Sequence, residues 1–243
     1  MSFQLLFVGD SITEGVDGFS YIRLLRQDYP RWQMTNLGLG GDTLVGIGQR
    51  LLHNVAQQPE YDCIILEAGH NDLLIPYMQQ GSRAFRFIAQ RLIQRGSRPT
   101  PNPAQFAQQL QDIIDNLRDT YAGPVIVTTL SCLGETLENE LNRQRQQINA
   151  AIRRIAAHNQ LYLADAGAVF DAQLAGKEKT AVTVLSNPYA MLLIDQVCSR
   201  SRACVTWLSR RRHTHLTIDG VHLNVAGAHI YRNVLKACLD ELQ

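Results

Sequence analysis

The feature that most limits what this chain can become is its regular alternation of short apolar runs with longer stretches of helical spacing. Residues 3–8 form a mostly apolar run ended by Gly9; a run this short and continuous reads as a strand covered on both faces. Residues 18–29 then carry Phe19, Ile22, Leu24, Leu25 and Tyr29 at helical spacing, up to Pro30. The unit repeats. Strands are expected at 33–37, 61–67, 125–130 and 161–164, and helices after Asp42 through about Ala56, over 104–119 and over 138–158. A last helix is expected from Asn224, a plausible N-cap, to about Leu242. Strand and helix in alternation predict an α/β fold, a mostly parallel sheet with helices on both faces.

In such sheets ligands gather at the carboxyl ends of the strands. The turns there are Gly9-Asp10-Ser11, the glycine-rich residues 38–42, and Gly69-His70-Asn71-Asp72. The length of 243 residues suits one domain spanning 1–243. Two stretches break the alternation, at about 73–103 and 172–216. The first is rich in arginine (Arg83, Arg86, Arg91, Arg95, Arg98); the second holds an apolar run, 189–194, and a basic run, 210–213. Both are long for connections and read either as binding loops or lids, or as solvated helices on the rim.

A formal net charge of +1 gives no electrostatic reason to expect a nucleic-acid partner. No apolar run reaches the roughly 18–20 residues needed to span a bilayer, and the N-terminal residues lack the basic segment and cleavage site of a signal peptide. The five cysteines (Cys63, Cys132, Cys198, Cys204, Cys238) are odd in number and loosely spaced. They argue against a disulfide framework and fit a reducing cytoplasm. Cys198 and Cys204 are close enough to pair or to bind a metal, but no histidine at zinc-like spacing supports a metal.

Three groups of residues carry chemistry. A serine at a strand-to-helix turn, as in Gly9-Asp10-Ser11, can stand exposed above the sheet with its own N–H directed at a bound carbonyl; it can equally be a helix N-cap. Asp219 and His222 are spaced so that the carboxylate can turn back onto one ring nitrogen, leaving the other free to take a proton from Ser11. By itself the same spacing also describes a turn with a surface histidine. Acyl transfer further needs donors for a developing oxyanion, which the Gly41 N–H and the Asn71 amide could supply; a tight turn and an Asx turn are the plainer alternatives. Asp42 and Asp72 alone do not define a cation site.

Taken in order, Gly9-Asp10-Ser11, Gly41-Asp42-Thr43, Gly69-x-Asn71-Asp72 and Asp219-x-x-His222 resemble the blocks of the SGNH hydrolase superfamily, the GDSL esterases and lipases. The resemblance spans residues 9 to 222. It implies a flavodoxin-like three-layer sandwich with a five-stranded parallel sheet. It further implies Ser11 as nucleophile, His222 as base, Asp219 as its partner, and Ser11, Gly41 and Asn71 as the oxyanion hole. It implies no metal or other cofactor. Asp10 and His70, flanking these residues, are candidate substrate contacts; His70, where relatives often carry a small residue, could also compete as a base or face solvent.

The expected function is therefore ester hydrolysis on a small-molecule substrate, with simple esters, sugar O-acetyl groups and thioesters in competition. An apolar run facing the site would favour acyl chains, and an arginine-rich wall would favour anionic or sugar substrates. A binding module with inactive chemistry is the alternative of another class. Nucleotide binding by residues 38–42 is the weaker third reading, for want of G-x-G-x-x-G spacing and a Walker lysine.

Overall fold

Successive side chains of a strand point to opposite faces, so an apolar run between two layers of helices must divide its residues between two cores. In the computed structural model, which describes residues 3–57, 60–177, 184 and 195–242, β1 (Gln4–Gly9) does this. Leu6 and Val8 enter one core and Leu5 and Phe7 the other. β3 (Cys63–Leu66) and β4 (Val125–Thr128) divide in the same way, with Ile64, Leu66, Val125 and Val127 on one side and Cys63, Ile65 and Ile126 on the other. β2 (Gln33–Gly38) and β5 (Tyr162–Ala164) complete the sheet. The order is β2-β1-β3-β4-β5 and every pairing is parallel. β2 is an edge strand, which explains its polar sequence.

The first core is covered by α3 (Leu44–Gln57), α4 (His70–Gln79), α6 (Pro103–Arg118) and α7 (Glu140–His158). The second is covered by α2 (Tyr21–Asp28), α8 (Ala166–Leu174), α9 (Arg202–Arg212) and α10 (Val225–Asp240). Fully buried side chains such as Ile148 and Leu235 contribute roughly 1.5–3 kcal/mol each. Helix starts follow their caps. Asn102 precedes a proline at the first helical turn, and Asn139 and Asn224 accept from the N–H groups of Asn142 and Gly227 at 2.7 and 3.0 Å. This is the α/β sandwich that the alternation predicts.

Several elements differ from expectation. A one-turn helix, α1 (Ser11–Glu14), begins on Ser11 itself because the Asp10 carboxylate caps the Ile12 N–H at 2.9 Å. The arginine-rich stretch contains a regular helix, α5 (Arg83–Gln94), capped by Ser82. Cys198 and Cys204 form a disulfide, the pairing that their closeness in sequence left open, although the five cysteines together argued for a reducing compartment. A helical turn at Gln196–Cys198 and the start of α9 bring their Cα atoms to 5.0 Å, within bridging range. The pair removes one support for a reducing compartment. The apolar run 189–194 lies outside the described residues. No helix among those described is long and apolar enough to cross a membrane.

Candidate active site

The sheet order reverses at β1: the chain leaves it toward β2 on one side and returns at β3 on the other. The turns after β2, β1 and β3 therefore meet at the switch point, where the crossover helices diverge and leave a crevice. Ser11 follows β1, Gly41 follows β2, and Asn71 lies in the first turn of α4, after β3. Asp219 and His222 arrive from the loop before α10. That loop is held by several bonds. Phe19 N–H donates to the Leu223 carbonyl at 2.8 Å, and Ile218 N–H to that of His222 at 2.8 Å. The buried Glu135 carboxylate accepts from the N–H groups of His215, Leu216 and Thr217 at 2.7–2.8 Å, and from the Thr217 hydroxyl at 2.8 Å.

The result is a relay. His222 Nδ1 lies 2.7 Å from Asp219 Oδ2, and Nε2 lies 3.1 Å from Ser11 Oγ. Asp219 Oδ1 accepts from the N–H groups of Val221 and His222 at 3.0 and 2.8 Å, so the carboxylate is fixed by its own turn. Burial disfavours the imidazolium, but the charge and hydrogen bond of Asp219 outweigh it and hold His222 up at about 9. Asp219 is correspondingly low: burial raises it, and His222 more than compensates.

Around Ser11 are polar groups with unused capacity. The N–H groups of Ser11 and Gly41 donate to nothing among the described residues. Gly41 has φ +80°, and a Cβ there would lie 2.3 Å from Leu92 Cδ2, so a side chain would be strained and would have to displace Leu92. Asn71 gives one amide hydrogen to the Asp42 carbonyl at 2.9 Å, which leaves the second for a ligand. Ser11, Gly41, Asn71 and His222 line one cleft of about 480 Å³, together with Glu14, Asp17 and the inner stripe of α5.

Asp10 and His70 do not reach this cleft. They are 0% and 1% exposed, which corrects the expectation that they touch substrate or that His70 faces solvent. The physical reason is a second relay behind the first. His70 Nδ1 lies 2.9 Å from Glu67 Oε1 and 3.4 Å from Asp10 Oδ2, and Nε2 lies 3.0 Å from the Ser131 hydroxyl. Glu67 Oε2 accepts from Asp10 N–H at 3.1 Å and Thr13 Oγ1 at 3.0 Å, on either side of Ser11. Burial opposes a charge on His70, but Asp10 and then Glu67 raise it to about 9; burial and then the Asp10 charge push Glu67 up to about 7. With both ring nitrogens bonded, His70 is not available as a competing base at Ser11.

The ligating atoms of Asp10, Glu67 and His70 lie within 4.8 Å of one another, a spacing that could hold a cation. The imidazolium already supplies positive charge there. The carboxylates of Asp42 and Asp72, the pair weighed from the sequence, are engaged otherwise: Asp42 by Arg50, and Asp72 by the N–H groups of Leu44 at 3.0 Å and Thr100 at 2.8 Å. The sequence reading missed Glu67, Ser131, Glu135, Glu14 and Asp17. Only Glu67 left a signal, since Glu67-x-x-His70 has the same spacing as Asp219-x-x-His222.

A family model described as the GDSL-like Lipase/Acylhydrolase family matches residues 7–230. No curated protein matches the chain. Among solved structures, the acetyl xylan esterase AlAXEase is 19% identical, with 98% of this chain and 100% of that one covered and a TM-score of 0.65. A single-site tryptophan-to-isoleucine variant of Axe2, an acetyl xylan esterase from Geobacillus stearothermophilus, is 18% identical over 99% and 94% of the two chains, with a TM-score of 0.62. LAE5, an alpha/beta hydrolase enzyme from the metagenome of Lake Arreo, Spain, is 18% identical over 100% and 98%, with a TM-score of 0.63. At these identities the likeness is one of fold.

Proposed function

The chain belongs to the GDSL-like lipase/acylhydrolase family, and from that premise we propose that it cleaves carboxylic esters through an acyl-enzyme on Ser11. The observation that carries this reading is the Asp219–His222–Ser11 relay: a 2.7 Å gap within the Asp219-x-x-His222 turn, and a 3.1 Å gap from His222 to Ser11, 211 positions away in sequence. Ser11 Oγ attacks the acyl carbonyl while His222 Nε2 takes its proton. The carbonyl oxygen becomes an oxyanion facing the Ser11 and Gly41 N–H groups and the free amide hydrogen of Asn71. The intermediate collapses, His222 returns the proton to the departing alkoxide, and the acyl group stays on Ser11. Water, deprotonated by the same imidazole, releases the acid and restores the serine. Asp219 holds the tautomer and stabilises the imidazolium.

Sugar O-acetyl groups are a second substrate reading, favoured by the acetyl xylan esterases among the fold relatives. The first test is hydrolysis of 4-nitrophenyl esters from acetate to long chain by wild type and Ser11→Ala. The variant is expected to lose about 10⁴-fold or more in kcat while folding normally. Retained turnover would remove Ser11 as the nucleophile.

A further inference from the structure

The cleft is charged unevenly. Beside Ser11 and His222 it carries two carboxylates, Glu14 and Asp17, and Asp17 Oδ2 comes to 3.9 Å from His222 Nε2. Its other wall is α5. Helical spacing puts Phe87, Ile88, Arg91, Leu92 and Arg95 on one stripe, all of them lining the cleft, while Arg83 and Arg86 do not. Leu92 seats this stripe against Gly41, and Ser97, just beyond the helix, donates to the Gly41 carbonyl at 3.0 Å. Arg91 and Arg95 therefore flank the residue that packs on the glycine turn beside Ser11. The Arg91 guanidinium lies 5.1 Å from the centre of the exposed Phe87 ring.

Elsewhere Arg50, Arg145, Arg153, Arg212 and Arg232 each meet a carboxylate. Arg91 and Arg95 meet none among the described residues. Guanidinium forks bind carboxylate and phosphate oxygens in pairs. Resting on the reading of Ser11 as nucleophile, we infer that the α5 wall selects esters carrying an anionic group, a carboxylate or a phosphate. The anion meets Arg91 and Arg95 while the scissile carbonyl lies at Ser11. Glu14 and Asp17 repel the reverse orientation, so the two ends of the cleft together set how the substrate enters.

The test compares wild type with the double variant Arg91→Gln/Arg95→Gln on 4-nitrophenyl butyrate and on the mono-4-nitrophenyl ester of glutarate, which places a carboxylate on the acyl side. Phenyl acetate and 4-acetoxybenzoate place it on the alcohol side. For one of these pairs, the ratio of kcat/KM for the charged over the neutral ester should fall about tenfold in the variant, and less in 0.5 M salt. The pair that responds identifies the side of the ester that meets α5. Arg83→Gln/Arg86→Gln, on the outer face of the helix, should leave both ratios unchanged. Unchanged ratios in the Arg91/Arg95 variant, or an equal fall in the outer-face variant, would overturn the proposal.

Binding separates this claim from the hydrolysis reading. Calorimetry on Ser11→Ala should show monomethyl glutarate binding about tenfold more tightly than methyl butyrate, or 4-acetoxybenzoate than phenyl acetate, with the difference lost on adding Arg91→Gln/Arg95→Gln. That result, combined with a folded wild type that hydrolyses no ester, would support the anion site and sink the hydrolase reading. Equal binding within both pairs would sink the anion site.

Discussion

His222 and His70 have the same local grammar, a carboxylate three residues before an imidazole, and both bond it through Nδ1. They differ in where Nε2 points: His222 reaches Ser11 at the cleft, and His70 reaches the fully buried Ser131. Because Asp219 lifts His222 above its ordinary value of 6.5, the protonated fraction persists past neutrality. The rising limb of kcat/KM against pH should therefore lie above 6.5, and Asp219→Asn should move it down while lowering turnover; a limb unmoved by that change would count against the pair. At Asn71, truncation to alanine removes both the amide hydrogen that faces the cleft and the one that holds the Asp42 carbonyl. We expect kcat to fall roughly 100- to 1000-fold with a smaller change in KM. A change in KM alone, measured on one ester, would make Asn71 a ground-state contact.

Among the elements, the loop that carries Asp219 and His222 depends on supports outside the relay. Asn224 caps α10 through Gly227 N–H and also donates to the carbonyls of His215 and Thr217, at 3.0 and 3.2 Å. Glu135, from the loop after β4, gathers three N–H groups and one hydroxyl of residues 215–217. Replacing Glu135 with Gln puts an NH2 donor in place of one acceptor oxygen, so that donor faces donor. Denaturant unfolding should show a loss of roughly 1–3 kcal/mol, and Asn224→Ala a loss of about 1 kcal/mol. If both variants matched wild type in stability, the loop would have to be held by other contacts. The sequence alone suggests the Asn224 cap because it stands just before a helical stretch. It gives no hint of Glu135, whose partners lie about 80 positions away in the chain.

Over the whole molecule, buried ionisable groups set how stability responds to pH. His70 and His222 are held at about 9, against 6.5. A raised histidine stabilises the fold fully below its unfolded value, and that contribution is lost as pH climbs through the folded one. Glu67 and Asp72 are both raised to about 7, by burial above all. The cost of ionising them in the fold is absent below their ordinary values of 4.5 and 3.8, and stability falls as pH rises from there through about 7. Asp10 and Asp219 are lowered and act oppositely, losing their contribution on acidification. The melting temperature should therefore decline steadily from about pH 5 to about pH 9. A melting temperature that held or rose across that interval would show that these groups are not charged as described.

What the sequence determined by itself is what depends on local order. Strand runs, helix periodicity and caps are written in neighbouring residues, so the five strands and the helices α2, α3, α6, α7 and α10, and with them the parallel sheet, could be read directly, while α4, α8 and α9 were not. Ser11, Gly41, Asn71, Asp219 and His222 could be singled out as candidates because each stands at a strand end or just before a helix, and the family resemblance of the four blocks in order supplied their expected roles. Asp10 and His70 stand at the same strand ends, yet the fold turns them inward, because burial is a property of everything packed around a residue. The same holds for α5. Its arginines are plain in the sequence, but which of them face the cleft was decided only when Leu92 met Gly41, two segments that no local pattern connects.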